Sequence, residues 1–283
     1  MNKPGWFIMH EVLQCEEHAC VYDSHKVSRY RKNTFDKDEF DNLASESAVA
    51  LVYNGISHTV LMCSATELEN LAIGFSLSEG IIQHYRDIHD IDIVHTVKGI
   101  ELHIELCNRC FEQLKHVRRT MAGRTGCGIC GTEQLDQVVR PLSTVGNQLT
   151  MDIASFDSAL QELKQHQQLN NITGATHAAA YLSPNGEIVA IQEDIGRHIA
   201  LDKLIGYIIK NKLEGGAILV TSRASFEMVQ KAVIAGVEIL FAISAATMMA
   251  VELAQQSNLT LVGFCRPGRA DVYTHPERVT CHQ

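Results

Sequence analysis

At 283 residues, with 46% hydrophobic and 20% charged side chains, the chain has the makeup of an ordinary globular protein and length enough for two domains. A net charge of −9 argues against a general nucleic-acid binder, because no basic surplus exists to neutralise phosphates broadly. The N-terminus lacks the apolar run of a signal peptide, and the most apolar stretch, 232–250, is broken by Gly236-Val237-Glu238 and Ser244, so neither export nor a membrane span is expected and the nine cysteines read as reduced thiols of a cytoplasmic protein.

Residues 1–41 are polar and are expected to form an irregular arm, with a basic patch at Lys26, Arg29, Arg31 and Lys32. A smaller α+β domain is expected over 42–121. It opens with two apolar runs, 48–53 and 56–62, around Asn54-Gly55, the strongest short hairpin signal. Leu68, Leu71, Ala72 and Phe75 then fall at helical spacing, with Thr66 placed to cap the helix and Gly80 to stop it. Strands follow at 91–94 and 100–106, and a basic helix at 111–121 leads into a glycine-rich loop spanning 122–134.

After a polar stretch at 165–171, an α/β domain is expected over 172–283. From Gly186 onward, strands at 187–192, 217–221, 238–243 and 259–264 alternate with helices at 199–212, 225–235 and 246–256. Near-continuous aliphatic strands separated by helices predict α/β architecture: a parallel-core sheet flanked by helices. In such sheets ligands bind beyond the carboxyl ends of the strands, where helix N-termini offer free amides. Those ends carry Arg197 and His198, Ser222 and Arg223, Ser244 to Thr247, and Cys265 to Arg269. Arginines and hydroxyls at successive ends of one sheet suit a phosphate or pyrophosphate group.

The loop holds the most reactive-looking feature, Gly123-Arg124-Thr125-Gly126-Cys127-Gly128-Ile129-Cys130-Gly131. With glycine on nearly every side, neither sulfur is shielded. Such a pair suits metal ligation, disulfide exchange, nucleophilic catalysis or carriage of a persulfide. Cys107 and Cys110 precede it, giving C-x2-C-x16-C-x2-C, which falls within zinc-ribbon spacing, although a basic helix between the pairs is unlike a ribbon. A thioredoxin-type pair starts a helix after a strand, whereas Cys127 and Cys130 follow one. His177 can serve as the base for a cysteine nucleophile or be a core histidine in the small-residue run 174–180.

The loop, together with Thr176-His177-Ala178-Ala179, Glu193-Asp194-Ile195-Gly196-Arg197-His198, Asp202-Lys203, Ser222-Arg223-Ala224-Ser225-Phe226-Glu227 and Leu261-Val262-Gly263-Phe264-Cys265-Arg266-Pro267-Gly268-Arg269, resembles the FdhD family over about 27–279. The resemblance is to enterobacterial-type members and implies a cytoplasmic, dimeric formate dehydrogenase accessory sulfurtransferase whose main domain is similar to cytidine deaminases. Such a protein accepts persulfide sulfur from a cysteine desulfurase and passes it to the molybdenum bis(molybdopterin guanine dinucleotide) cofactor before formate dehydrogenase receives it. By that resemblance Cys127 carries the sulfur and Cys130 assists. The guanine dinucleotide lies against Phe264, Cys265, Arg266, Pro267, Gly268 and Arg269, with Arg197, His198, Ser222, Arg223 and His177 beside it. No resident metal, nucleic acid or membrane partner is implied. Cys107 and Cys110 depart from the family pattern, where serine and arginine are often found, as does Ile199 after Gly-Arg-His and Ser64-Ala65 before the first helix. Two other readings are a cofactor-binding chaperone without sulfur chemistry and a zinc-dependent structural module.

Overall fold

A computed structural model describes residues 21–122 and 142–281, with the backbone alone for 117–122. Among these residues the architecture is mixed α/β, with four sheets and seven α-helices. No helix among them is long and apolar enough to cross a membrane.

Residues 22–41 are not irregular. β1 (Tyr22–Arg31) and β2 (Thr34–Ala44) pair as an antiparallel ribbon. Its polarity hid it: the ribbon is solvated and is laced by cross-strand ion pairs, Lys26 to Asp38 at 2.7 Å and Arg29 to Glu39 at 2.8 Å.

β3 (Ser47–Tyr53) and β4 (Ile56–Cys63) turn at Asn54-Gly55, both left-handed at φ 46° and 79°, as a type I′ turn requires. β5 (Ile88–Thr96) and β6 (Gly99–Leu106) complete a sheet of order β4-β3-β6-β5, in which β3 and β6 run parallel. α1 (Leu68–Ser78) joins the core of this sheet. Thr66 does not cap it. Glu67 occupies the cap, and the Thr66 hydroxyl instead accepts from Lys203 Nζ at 3.2 Å. Gly80 does end it, in the left-handed region at φ 68° with its N–H on the Leu77 carbonyl. α2 (Asn108–Ala122) follows β6 directly.

β7 (Met151–Asp152) leads into α3 (Ile153–His166) and the short α4 (Gln168–Thr173). The main sheet is built from β8 (His177–Leu182), β9 (Ile188–Asp194), β10 (Ala217–Val220), β11 (Ile239–Ala242), β12 (Thr260–Arg266) and β13 (Arg269–Val272). α5 (Arg197–Lys210), α6 (Phe226–Ile234) and α7 (Met248–Gln256) connect its strands, and β14 (Val279–Thr280) pairs with β7. The order is β13-β12-β11-β10-β8-β9. Only β10, β11 and β12 pair in parallel; β8 lies antiparallel between β9 and β10, and β13 is antiparallel to β12. Because β9 is antiparallel to β8, it shares the direction of β10 to β12. Four carboxyl ends and the start of β8 therefore meet at one edge.

Alternation along the central strands sends Ile218 and Val220 to the side of α5 and α6, and Ala217 and Leu219 to the side of α3. On the α3 side Phe156 stacks on Phe241 with ring centroids 4.2 Å apart. On the other side α1 crosses α5 at near backbone contact: a Cβ on Gly74 would lie 1.8 Å from the Asp202 carbonyl oxygen, and one on Gly206 would lie 1.9 Å from that of Asn70. Two buried ion pairs reinforce this crossing. Lys203 reaches Asp194 at 2.7 Å with both side chains 0% exposed, and Lys231 reaches Asp202 at 2.7 Å.

Candidate functional site

The shared edge of the main sheet is the candidate site. There β9, β10 and β11 each hand over to a helix whose first turn leaves amides without intrahelical partners. Gly196 caps α5, Ser225 caps α6 and Thr247 caps α7, the last with its hydroxyl accepting from Ala250 N–H. Neither the Ser225 hydroxyl nor Arg197 Nε, both buried, has a hydrogen-bond partner among the described residues. The connecting loops hold one another: Ala224 N–H donates to the Ala245 carbonyl and Thr247 N–H to the Ala224 carbonyl. Amides, unpartnered donors and arginines are the groups that suit an anion.

His177 starts β8 opposite Asp194 of β9, half-buried, with Nδ1 3.5 Å from the Thr221 hydroxyl. Burial, then the neighbouring Arg197 charge, holds its pKa below the usual histidine value. His198 sits one turn into the rim with Nε2 2.6 Å from a Glu227 carboxylate oxygen. Burial lowers its pKa more than Glu227 raises it, with Arg197 and Lys231 adding to the depression and Asp202 opposing it. Glu227 and Thr221 are rim residues whose partners a one-dimensional pattern does not reveal, since they lie 29 and 44 residues from the histidines they face.

The β12–β13 turn supplies the rest. Phe264 is held in the left-handed region at φ 50°, its N–H on the Ser244 carbonyl and its ring partly exposed. Arg269 lies 5.8 Å from that ring's centroid. Pro267 and Gly268 are exposed, with Gly268 N–H donating to Asp157. Arg223 is exposed at the end of β10, whereas the Ser222 side chain is buried and donates to the Arg223 carbonyl. Arg266 turns back and donates to the carbonyls of Ile243 and Cys265, tying the ends of β11 and β12 together. Cys265 is the one member of the group whose side chain faces away from the edge. It is 1% exposed within the core below the sheet, and burial pushes its thiol up to about 12. An irregularity in the β12–β13 register at left-handed Phe264 breaks the strict alternation of faces and puts Cys265 in the same core as Val262.

The two acidic residues of the β9 terminus are structural. Glu193 accepts from the N–H groups of Leu169 and Asn170 and from the Thr176 hydroxyl. Asp194 accepts from Ser64 N–H, Gly196 N–H and Lys203, so the pair fixes where α4 and α5 begin around the rim.

Cys127 and Cys130 lie outside the described residues. The other pair does not. Cys107 follows β6 and its carbonyl accepts the first helical bond of α2, from Phe111 N–H; it is half-buried, and Cys110 is 1% exposed. The strand-then-helix setting of a dithiol motif thus belongs to Cys107 and Cys110. Burial, contact with Cys107 and the Asp87 charge push the Cys110 thiol up to about 11, against the pull of Arg109. Isolated Cys63 is buried, its thiol pushed up to about 12, as befits a small core residue.

The chain is similar to a crystal structure from Desulfotalea psychrophila of a protein assigned provisionally as a formate dehydrogenase accessory protein. The likeness has a TM-score of 0.71 at 22% identity and covers 92% of this chain and 100% of that one, a correspondence of fold. A family model described as FdhD/NarQ family matches residues 44–280, the β3 hairpin through β14. With most of its length matched, the chain belongs to the FdhD/NarQ family.

Proposed function

We propose that the protein is a sulfur carrier in formate dehydrogenase maturation, holding the guanine dinucleotide end of the molybdenum cofactor on the sheet edge and delivering sulfur from Cys127. Family membership and a fold shared with a formate dehydrogenase accessory protein support the pathway. The observation that carries the binding half is the convergence of three helix N-termini with Arg197, Arg223 and Arg269 on one edge, beside an exposed aromatic ring at Phe264. Phosphates suit the amides and guanidinium groups, and a purine suits the ring. The β8–β12 sheet and its helices form the unit that the resemblance likens to cytidine deaminases.

In the chemical half, the Cys127 thiolate attacks the outer sulfur of a persulfide on a cysteine desulfurase. A new S–S bond forms, the donor's S–S bond breaks, and the donor leaves as its thiolate. Cys130 then attacks the inner sulfur of the Cys127 persulfide. Sulfide departs toward the cofactor, and the resulting disulfide is returned to two thiols by an external thiol reductant. We read the active form as a cytoplasmic homodimer.

The test is mass spectrometry of the protein after incubation with a desulfurase and cysteine. Added sulfur on the Cys127 peptide is expected, and its exclusive appearance on Cys107 or Cys110 would overturn the assignment. Replacing Cys127 by alanine is expected to abolish formate dehydrogenase activation; retained delivery would point to a chaperone instead. GDP retention tests the rim: Arg269→Ala is expected to weaken it by roughly tenfold, the scale of one lost charge-assisted contact.

A further inference from the structure

Away from the sheet edge, Asp87, Cys107 and Cys110 bring a carboxylate oxygen and two sulfurs within 4.8 Å of one another. The juxtaposition is built by pairing. Asp87 ends the turn Tyr85–Asp87 just before β5, Cys107 follows β6, and Cys107 N–H donates to the Asp87 carbonyl at 2.8 Å. The helix that starts after Cys107 then returns Cys110 to the same side.

We propose that these three side chains bind a thiophilic divalent cation such as Zn2+, with a fourth position open to solution. Bonds of about 2.3 Å to sulfur and 2.0–2.2 Å to oxygen at tetrahedral angles separate ligand atoms by about 3.6–3.8 Å. Cys107 Sγ lies 3.9 Å from Asp87 Oδ1 already, so the cation replaces the thiol proton with only a small contraction. Asp87 is held for the task. Its Oδ2 accepts from Gln83 and His84 N–H, each at 3.0 Å, and its Oδ1 accepts from Arg109 Nη2 at 3.0 Å. An ionised oxygen has two lone pairs, so Arg109 keeps one and orients the carboxylate while the other faces sulfur. Half-exposed Cys107 supplies the route in, and Cys110, 1% exposed, is the inner ligand.

The set uses no residue of 123–141. A cation here therefore leaves Cys127 free, which a four-cysteine cluster would not. The proposal does not depend on the sulfur-carrier reading.

The test is titration of the full chain, reduced and freed of metal, with Co2+ and with Zn2+. One cation per chain is expected, with sulfur-to-cobalt charge-transfer absorption in the near ultraviolet and release of about two protons per Zn2+. Cys107→Ser and Cys110→Ser should each weaken binding beyond the roughly 10–100-fold that an outer-sphere change costs. Asp87→Asn keeps oxygen acceptors for Gln83 and His84, so it should fold and still bind more weakly. The Cys127→Ala/Cys130→Ala double variant should bind normally. Loss of the cobalt signal in that double variant with retention in Cys107→Ser, or the absence of any sulfur-to-cobalt band in the unaltered chain, overturns the proposal.

Discussion

Replacing Lys203 by methionine removes a charge from a place water does not reach. The ammonium donates to Asp194 at 2.7 Å, to the Ser64 carbonyl at 3.0 Å and to Thr66, and both charged side chains are 0% exposed. Methionine fills the same stem volume, so no cavity opens, and the change isolates the electrostatics. Breaking one side of a buried pair costs about 3–5 kcal/mol, because the partner charge is stranded. Asp194 would keep two backbone donors, Ser64 N–H and Gly196 N–H, which places the expected loss at about 3 kcal/mol. The assay is equilibrium urea unfolding, with a lower midpoint and an unchanged slope. Adding Asp194→Asn removes the stranded charge, so the double variant should lose less than the sum of the single losses by about 1–2 kcal/mol. A loss below about 1 kcal/mol for Lys203→Met, or additivity within about 0.5 kcal/mol, refutes the reasoning.

Gly74→Ala and Gly206→Ala should each destabilise by about 3 kcal/mol or more by calorimetry, since the added carbon would meet a backbone oxygen that can yield only if α1 and α5 part. Phe264→Gly should raise stability by about 1 kcal/mol by releasing a left-handed non-glycine residue, while lowering GDP retention through loss of the ring. His177, its pKa depressed in the folded state, should titrate below pH 6.5 by NMR, and Arg197→Met should bring that midpoint closer to 6.5. Below 6.5 the unfolded chain binds a proton that folded His177 resists. Its linkage contribution is therefore fully present above pH 6.5 and is lost as pH falls through the folded midpoint, measurable as a lower Tm at acid pH.

The alternation of strand and helix after Gly186 was readable because β10 and β11 are buried throughout and apolar, and β12 is buried over its first four residues. That reading placed the arginine-bearing strand ends on one edge. It did not reveal that β8 slips in antiparallel, because a short Ala-rich strand carries no record of its neighbours' direction. Thr66 looked like a cap since capping depends on local spacing, but a lysine 137 residues away claims its hydroxyl. Glu193, Asp194, Asp202 and Lys203 stand in the motifs that carry the family resemblance, with no role legible in one dimension. In three dimensions they are fastenings, satisfied inside the protein. Asp87 gave no signal beside Cys107, because strand pairing across 20 residues makes that neighbour.

The clasp of Lys203 on the Ser64–Thr66 turn has a consequence for how the chain comes apart. One end of the clasp belongs to the hairpin-bearing half, and the other fixes the strand terminus from which the candidate rim is hung. Separating the halves would strip Ser64 and Thr66 from the Lys203–Asp194 pair and open that pair to water, so neither half should survive excision as an independent fragment. Heating should melt hairpin half and rim in a single step, and a lesion near residue 64 should disturb the end of β9 from which the rim begins.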